Sequence, residues 1–255
     1  TPKGTGAFIL GPKPDGTTTG GNARGTGAID LNRVRTTAAQ VPSGAYAFTA
    51  GANNTATHQG GVALGDTNTV SAASGVAIGG SNSSSGGTAI GSGNTATSFA
   101  AAIGTGNTAS SVCTTAFGYQ AKSDRIGMQS FASFGYGSVI GTAQAVTLLF
   151  SGKTTNNTPT ELYSDGAGGN TDRQTIPSGK MISGILVLNG VKSDGSACAQ
   201  YVRQVAIKNV SGTTALVGVV TVIGLDTEDN ALTNITITAD DTNDALKVEA
   251  TGITS

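Results

Sequence analysis

Two short stretches carry the residue types from which a phosphate cradle is built. GSGNTA (91–96) and GTGNTA (104–109) both fit the spacing G-x-G-x-x-A after a short apolar run. In that pattern glycines let backbone N–H groups close around a pyrophosphate, and a helix must open directly after them. Neither stretch is followed by a helical period, and the pattern recurs at a fixed interval. Both read as turns.

Other chemistry-bearing residues are few. His58 is the only histidine and has no metal-ligating partner nearby in sequence, which marks a surface or packing residue. Asp226-Glu228-Asp229 and Asp240-Asp241-Asp244 offer the oxygen ligands that Ca²⁺ takes. Their spacing fits no calcium loop, and solvated turns between strands read the same way. Glycoside cleavage needs paired carboxylates on one surface, yet Asp66 is the sole acid between Val41 and Ala121. There is no G-x-S-x-G elbow, and no base lies beside Cys113 or Cys198. The expectation is a chain that is not an enzyme and holds no cofactor or metal. A Cys113–Cys198 disulfide is not expected, because stapled folds cluster several cysteines.

The 255 residues include 39 glycines, about twice the usual share, without a Gly-X-Y period. An apolar fraction of 37% and a formal net charge of −1 speak against disorder. Charge falls into three segments: mostly basic over 1–40, nearly absent over 41–121, acidic in balance from Ala145 onward. None is basic enough for nucleic acid. No apolar run approaches the ~18 residues of a membrane span, and no signal peptide is evident. The chain opens at Thr1 and stops at TGITS with an alternating pattern still running, which reads as a piece of a longer protein.

The feature that organises the sequence is a repeat. Gly51, Gly65, Gly79, Gly91, Gly104, Gly118 and Gly135 are separated by 14, 14, 12, 13, 14 and 17 residues. Ahead of each glycine by one stand Ala50, Leu64, Ile78, Ile90, Ile103, Phe117 and Phe134. Ahead by two, small residues include Ala63, Ala77, Ala89, Ala102 and Ala116. Three residues past the glycine stand Asn54, Asn68, Asn82, Asn94 and Asn107, each followed by Thr or Ser. Alternation sends Val76 and Ile78 to one face of a strand and Ala77 to the other. The glycines supply positive φ or close backbone approach. The asparagines tolerate a left-handed conformation and can stack into a ladder. About 14 residues then make one coil of a β-solenoid, with two short strands and two turns. One Val and one Ile per coil bury too little apolar surface to offset the ordering of fourteen residues. The alanine column (63, 77, 89, 102, 116) is therefore expected to pack flat against identical neighbours in a homo-oligomer.

VALGDTNTVSAASG and VAIGGSNSSSGG resemble the head repeats of trimeric autotransporter adhesins, repeats that also occur in bacteriophage tail fibres. The resemblance spans about residues 45–137. It implies a left-handed parallel β-roll in which three chains lie side by side.

Three regions follow. Residues 1–44 read as an irregular, β-rich lead-in that caps the open edge of the roll, with a flexible tether as the alternative. Residues 45–143 form the roll, ending in a collar of Phe117, Tyr119, Phe131, Phe134 and Tyr136 whose rings read as core packing, with a carbohydrate platform as the alternative. Residues 144–255 show alternating strands at 145–150, 181–188, 200–210, 215–224, 232–238 and 245–250, with a bulge at Gly184, the pattern of a β-sandwich. The fold class is thus all-β: a homotrimeric parallel β-roll followed by a sandwich.

The expected function is a structural and adhesive tail fibre of a bacteriophage virion, outside the cell. Its partners would be two further copies of itself, a host surface glycan or protein, and other tail proteins, with no nucleic acid and no membrane insertion. Loops 152–172 and 225–231 are the expected contact surface. The alternative is the head of an adhesin on a bacterial surface. A minor alternative is ice binding through paired hydroxyls (55/57, 69/71, 83/85, 95/97, 108/110), against which the 12-residue step argues by spoiling a flat lattice.

Overall fold

The computed structural model describes residues 5–135, 137, 139–166, 168–169, 172–229 and 232–253. The chain divides into two compact units, Thr1–Thr147 and Leu148–Ser255. All regular structure among the described residues is β.

The first unit is a parallel β-solenoid of about seven coils. Its long strands, Phe48–Ala52, Val62–Asp66, Val76–Gly80, Thr88–Ser92, Ala101–Thr105, Thr115–Tyr119 and Gln129–Ala132, stack in sequence order. The short strands Thr55–Ala56, Thr69–Val70, Ser83–Ser84, Thr95–Ala96, Thr108–Ala109 and Lys122–Ser123 stack into a second sheet. Each short strand begins directly after the ladder position. Register holds through every coil, with Gly51, Gly65, Gly79, Gly91, Gly104 and Gly118 aligned. The 12-residue step loses its two residues in the turn between Ser84 and Thr88, so both sheets stay in register across it.

The glycine column is fixed by close approach. These glycines have φ between 105° and 119°, and a Cβ on Gly91 would lie 1.9 Å from the carbonyl oxygen of Gly104. The last coil departs from the sequence expectation. Ala132, not Gly135, pairs with Gly118, which restores a 14-residue step. Alanine is tolerated there because the strand beyond it, Ala145–Thr147, pairs only with residues 129–131 and in antiparallel sense.

Asn54, Asn68, Asn82, Asn94 and Asn107 are fully buried, or nearly so. The Nδ2 of Asn82 donates to the Ile78 and Gly91 carbonyls (2.9 Å each) and to Oδ1 of Asn68 (3.1 Å), while its own Oδ1 accepts from the Asn94 backbone N–H (2.9 Å). The left-handed residue is the one before each ladder asparagine, Asn53, Thr67, Ser81, Gly93 and Gly106, and before Ala121, which stands at the ladder position of the next coil, Gln120; all have φ of 54–64°.

The lead-in joins the same sheet. Ile29–Val34 pairs parallel with Phe48–Ala52, and Phe8–Ile9 pairs parallel with Ile29–Val34. Asp30 takes the place held by alanine in later coils and is buried with Arg24 and Arg35, both ion-paired to its carboxylate. A buried carboxylate persists when charge-assisted hydrogen bonds satisfy it, and Asp30 also accepts from the Thr49 hydroxyl (3.2 Å) and the Asn32 N–H (3.0 Å).

The second unit is two antiparallel sheets over one core. Lys180–Val191 pairs along its whole length with Cys198–Val210, which pairs on its other side with Thr213–Leu216, Thr221–Val222 and Thr227–Glu228. In the other sheet, Ala245–Gly252 is flanked by Leu232–Asp240 and by Pro159–Glu161 with Gln174–Thr175. Ile176, Leu188, Tyr201, Val205, Ile207, Leu246 and Val248 meet in the core. Three expectations are corrected. Ala145–Thr147 pairs with the solenoid, not with this unit. Gly184 sits in unbroken register with Val205, so it marks no bulge. The stretch 215–224 is broken, because Gly218 and Gly224 turn the chain at φ of 77° and 75°.

Gly91→Ala is expected to destabilise the solenoid by about 3 kcal/mol or more, since it combines positive φ with backbone overlap. Gly93→Ala, at φ +64° with open space around it, is expected to cost only about 1 kcal/mol. Paired chemical-denaturation curves check this, and equal losses would remove close approach as the reason for the column.

Candidate interaction surfaces

Which side of each long strand is enclosed decides what the roll can touch. Ala63, Ala77, Ala89, Ala102 and Ala116 have no exposed surface within a single chain. They face the inward residues of the short strands, Ala56, Val70, Ser84, Ala96 and Ala109, all equally buried. This corrects the sequence expectation: the alanine column is the interior of the roll and cannot pack against neighbouring copies. The physical reason is width. A coil of two short strands encloses room for alanine or serine, and where Val70 is larger, Gly61 and Gly75 yield the space, as a Cβ on either would come within 3.0 Å of its Cγ1.

The larger residues therefore point out. One column runs Leu64, Ile78, Ile90 and Ile103 and continues as Phe117 and Phe131; a second runs Phe48, Val62, Val76, Thr88, Ala101 and Thr115. The aliphatic members are half-buried, Phe117 and Phe131 about half exposed. Phe117 stacks on Phe131 (5.8 Å between centroids) and Tyr119 on Phe134 (6.1 Å). Core packing of these rings is thus corrected to an outward stack. Tyr136 lies outside the described residues. Apart from Asp66 no charged residue lies on the long strands from Phe48 to Tyr119.

On the short-strand sheet the paired hydroxyl positions flank the buried residue, and their register runs unbroken from Thr55 to Thr108. The shortened step therefore does not spoil the array, contrary to expectation. The hydroxyls of Thr57, Ser71 and Thr97, however, donate back to backbone carbonyls of the next coil (3.3–3.4 Å). GSGNTA and GTGNTA are coil turns, with the Asn94 and Asn107 amides turned into the ladder rather than outward.

In the second unit most carboxylates of the acidic clusters are already engaged. Asp226 makes a two-point ion pair with Arg203 (2.6 and 2.8 Å). Glu228 accepts the Tyr201 hydroxyl, and burial followed by that bond pushes the phenol upward. Asp241 and Asp244 accept the N–H and hydroxyl of Thr214, and Asp240 holds Asn243. Among the described residues no group of three or more His, Cys, Asp or Glu is placed to hold a metal ion. Asp194 is held down to about 2 by the hydroxyl and backbone N–H of Ser196. His58 Nδ1 lies 2.8 Å from the Thr57 hydroxyl, and both cysteines are free and exposed.

Of the loops expected to make contact, residues 167, 170, 171, 230 and 231 lie outside the described residues. Residues 152–155 border a cleft of about 720 Å³ whose opposite wall is Ile185–Ser193, with Leu162 and Ala250 also lining it. Sequence reasoning missed this cleft and the outward apolar columns, since both depend on which face folding encloses. Comparison of the chain with protein-family models, with curated proteins and with solved structures finds no match.

One buried-edge network titrates. Glu161 accepts from Arg173 Nε (2.8 Å) and Nη2 (2.9 Å) and from the Tyr163 hydroxyl (2.9 Å). Burial alone would raise its carboxyl, but these bonds hold it below the usual range. A carboxyl depressed in the folded state adds stability above its unfolded value of about 4.3, and that stability is lost as pH falls through the folded value. Wild type should therefore lose more of its urea midpoint between pH 7 and pH 3 than Glu161→Gln. Equal losses would mean the network does not contribute.

Proposed function

We propose that this chain is part of a homotrimeric bacteriophage tail fibre or receptor-binding fibre. The solenoid is its rigid spacer, and the two-sheet unit is the part that meets a host surface glycan or protein. The fibre sits on the virion, outside the cell, where other tail proteins hold it.

The observation that carries this reading is the outward column Leu64, Ile78, Ile90, Ile103, Phe117 and Phe131, one apolar step per coil, beside a second that is apolar from Phe48 to Val76, on strands nearly free of charge. Coils repeat at about 4.8 Å. A partner can match such a surface along its length only by having the same repeat, and a second copy of the chain has it. Three copies is the number the adhesin-head resemblance implies. Three weak sites on one stiff axis then gain avidity without new contacts. A bacterial adhesin head would use the same self-association; the two-sheet unit following the roll with no heptad stalk between them favours the fibre. The hydroxyl array carries no second reading, because Thr57, Ser71 and Thr97 in one of its columns bond back to the backbone.

Light scattering on the purified chain is expected to give three copies at nanomolar concentration. Ile78→Glu/Ile90→Glu should give a single chain with an unchanged β spectrum, and should leave labelled bacteria about 10²-fold sooner than wild type. A wild-type chain that is monomeric at nanomolar concentration would overturn the proposal.

A further inference from the structure

The five-stranded sheet of the second unit has no further strand on either edge among the described residues, and the two edges differ. On one side stands Lys180–Val191, a twelve-residue strand whose one pairing partner among the described residues is Cys198–Val210. Long apolar edge strands are ordinarily shielded by charge, proline or a bulge, because their free backbone groups invite a further strand. Here Met181, Ile185, Val187 and Val191 are exposed instead, and Ile185–Ser193 forms one wall of the cleft described above. Lys153 and Lys192 also line that cleft.

On the opposite side, the broken strand 213–228 presents Val217, Val219, Val222, Ile223 and Leu225, with Val219 84% and Leu225 94% exposed. Thr214 is capped by Asp241 and Asp244, so the bare stretch begins after Leu216. Asp226, Glu228 and Asp229 follow directly. One edge is thus a cleft lined by Lys153 and by Lys192, which also reaches Asp194 (3.5 Å), and the other is an apolar projection followed by Asp226 on Arg203, Glu228 on Tyr201, and Asp229.

The two edges also match end for end. Val191 pairs with Cys198, and Glu228 pairs with Ala199, so Lys192 and Asp229 lie at the same end of the sheet. Two unlike, complementary patches on opposite sides of a unit make a head-to-tail contact, which closes into a ring when the rotation allows. A two-fold contact would instead require one patch complementary to itself.

We propose that the Leu148–Ser255 unit closes a head-to-tail ring with its copies, the 217–225 projection of each entering the neighbour's cleft between 148–155 and Ile185–Ser193. Asp229 then faces Lys153 and Lys192 of that neighbour, while Asp226 and Glu228 keep Arg203 and Tyr201. This rests on the self-association proposed above, and it assigns the second unit a binding partner in its own sheet edges.

The test uses the 255-residue chain with p-benzoylphenylalanine at Val187, expressed in separate ¹⁴N and ¹⁵N cultures and remixed before illumination. The expected result is a trimer by light scattering whose cross-links join residue 187 of one copy to 217–225 of another, as read from mixed-isotope peptides. The reciprocal probe at Leu225 should capture 148–155 or 185–193, which keeps the test alive if the first variant folds poorly. A trimer whose probes capture no other copy, or capture 187 against 187, would overturn the ring while leaving the roll's self-association intact. A monomer would overturn both, and light scattering alone reports it.

Discussion

Everything in the solenoid depends on how closely one coil lies on the next at the glycine column. With φ near 105–119° the glycine Cα faces the carbonyl of the glycine above it, and a methyl group there would overlap that oxygen. A side chain does not fit this place where a parallel coil follows in unbroken register; Asn32 stands there beside a register shift, and Ala132 where no parallel coil follows. The approach in turn sets the height at which each asparagine side chain reaches two carbonyls, one in its own coil and one in the next. The ladder therefore satisfies backbone acceptors that a narrow coil with two sharp turns would otherwise bury without partners. Variation in coil length is confined to the far turn, where it disturbs neither column.

A narrow coil has a second consequence. Its interior admits alanine, serine and an occasional valine compensated by glycine, so the branched and aromatic residues are displaced to the outside. Hydrophobicity alone would place isoleucine inside and alanine out; enclosed volume reverses the order. The fold is thus closed within one chain by hydrogen bonds and small residues, while its larger apolar surface remains as an ordered stripe for another molecule. The lead-in meets the same constraint differently, filling the alanine place with Asp30 and neutralising it with Arg24 and Arg35.

Much of this was legible in the sequence because the repeat encodes it directly. Glycine and asparagine recur at fixed offsets, and each has one physical use there. The last coil misread because Ala132 replaces glycine once no parallel coil follows, so Gly135 offered a false continuation. The sense of the faces was not legible, since period-two alternation distinguishes two sides of a strand without saying which is enclosed. In the second unit the strands around 181–188, 200–210 and 245–250 could be read from alternation. The interrupted strand could not, because Gly218 and Gly224 divide it and long-range pairing with Cys198–Val210 reassembles it. Its cleft and bare edges arise from segments distant in sequence.

The central claim, that a buried asparagine ladder binds coil to coil inside each chain, is open to one direct measurement. Hydrogen exchange of the side-chain amides can be followed by NMR in D₂O, taking Asn68, Asn82 and Asn94 against the exposed Asn156. The account predicts that the three ladder amides persist until global unfolding, while Asn156 exchanges at once. Ladder amides exchanging as fast as that of Asn156 would contradict it.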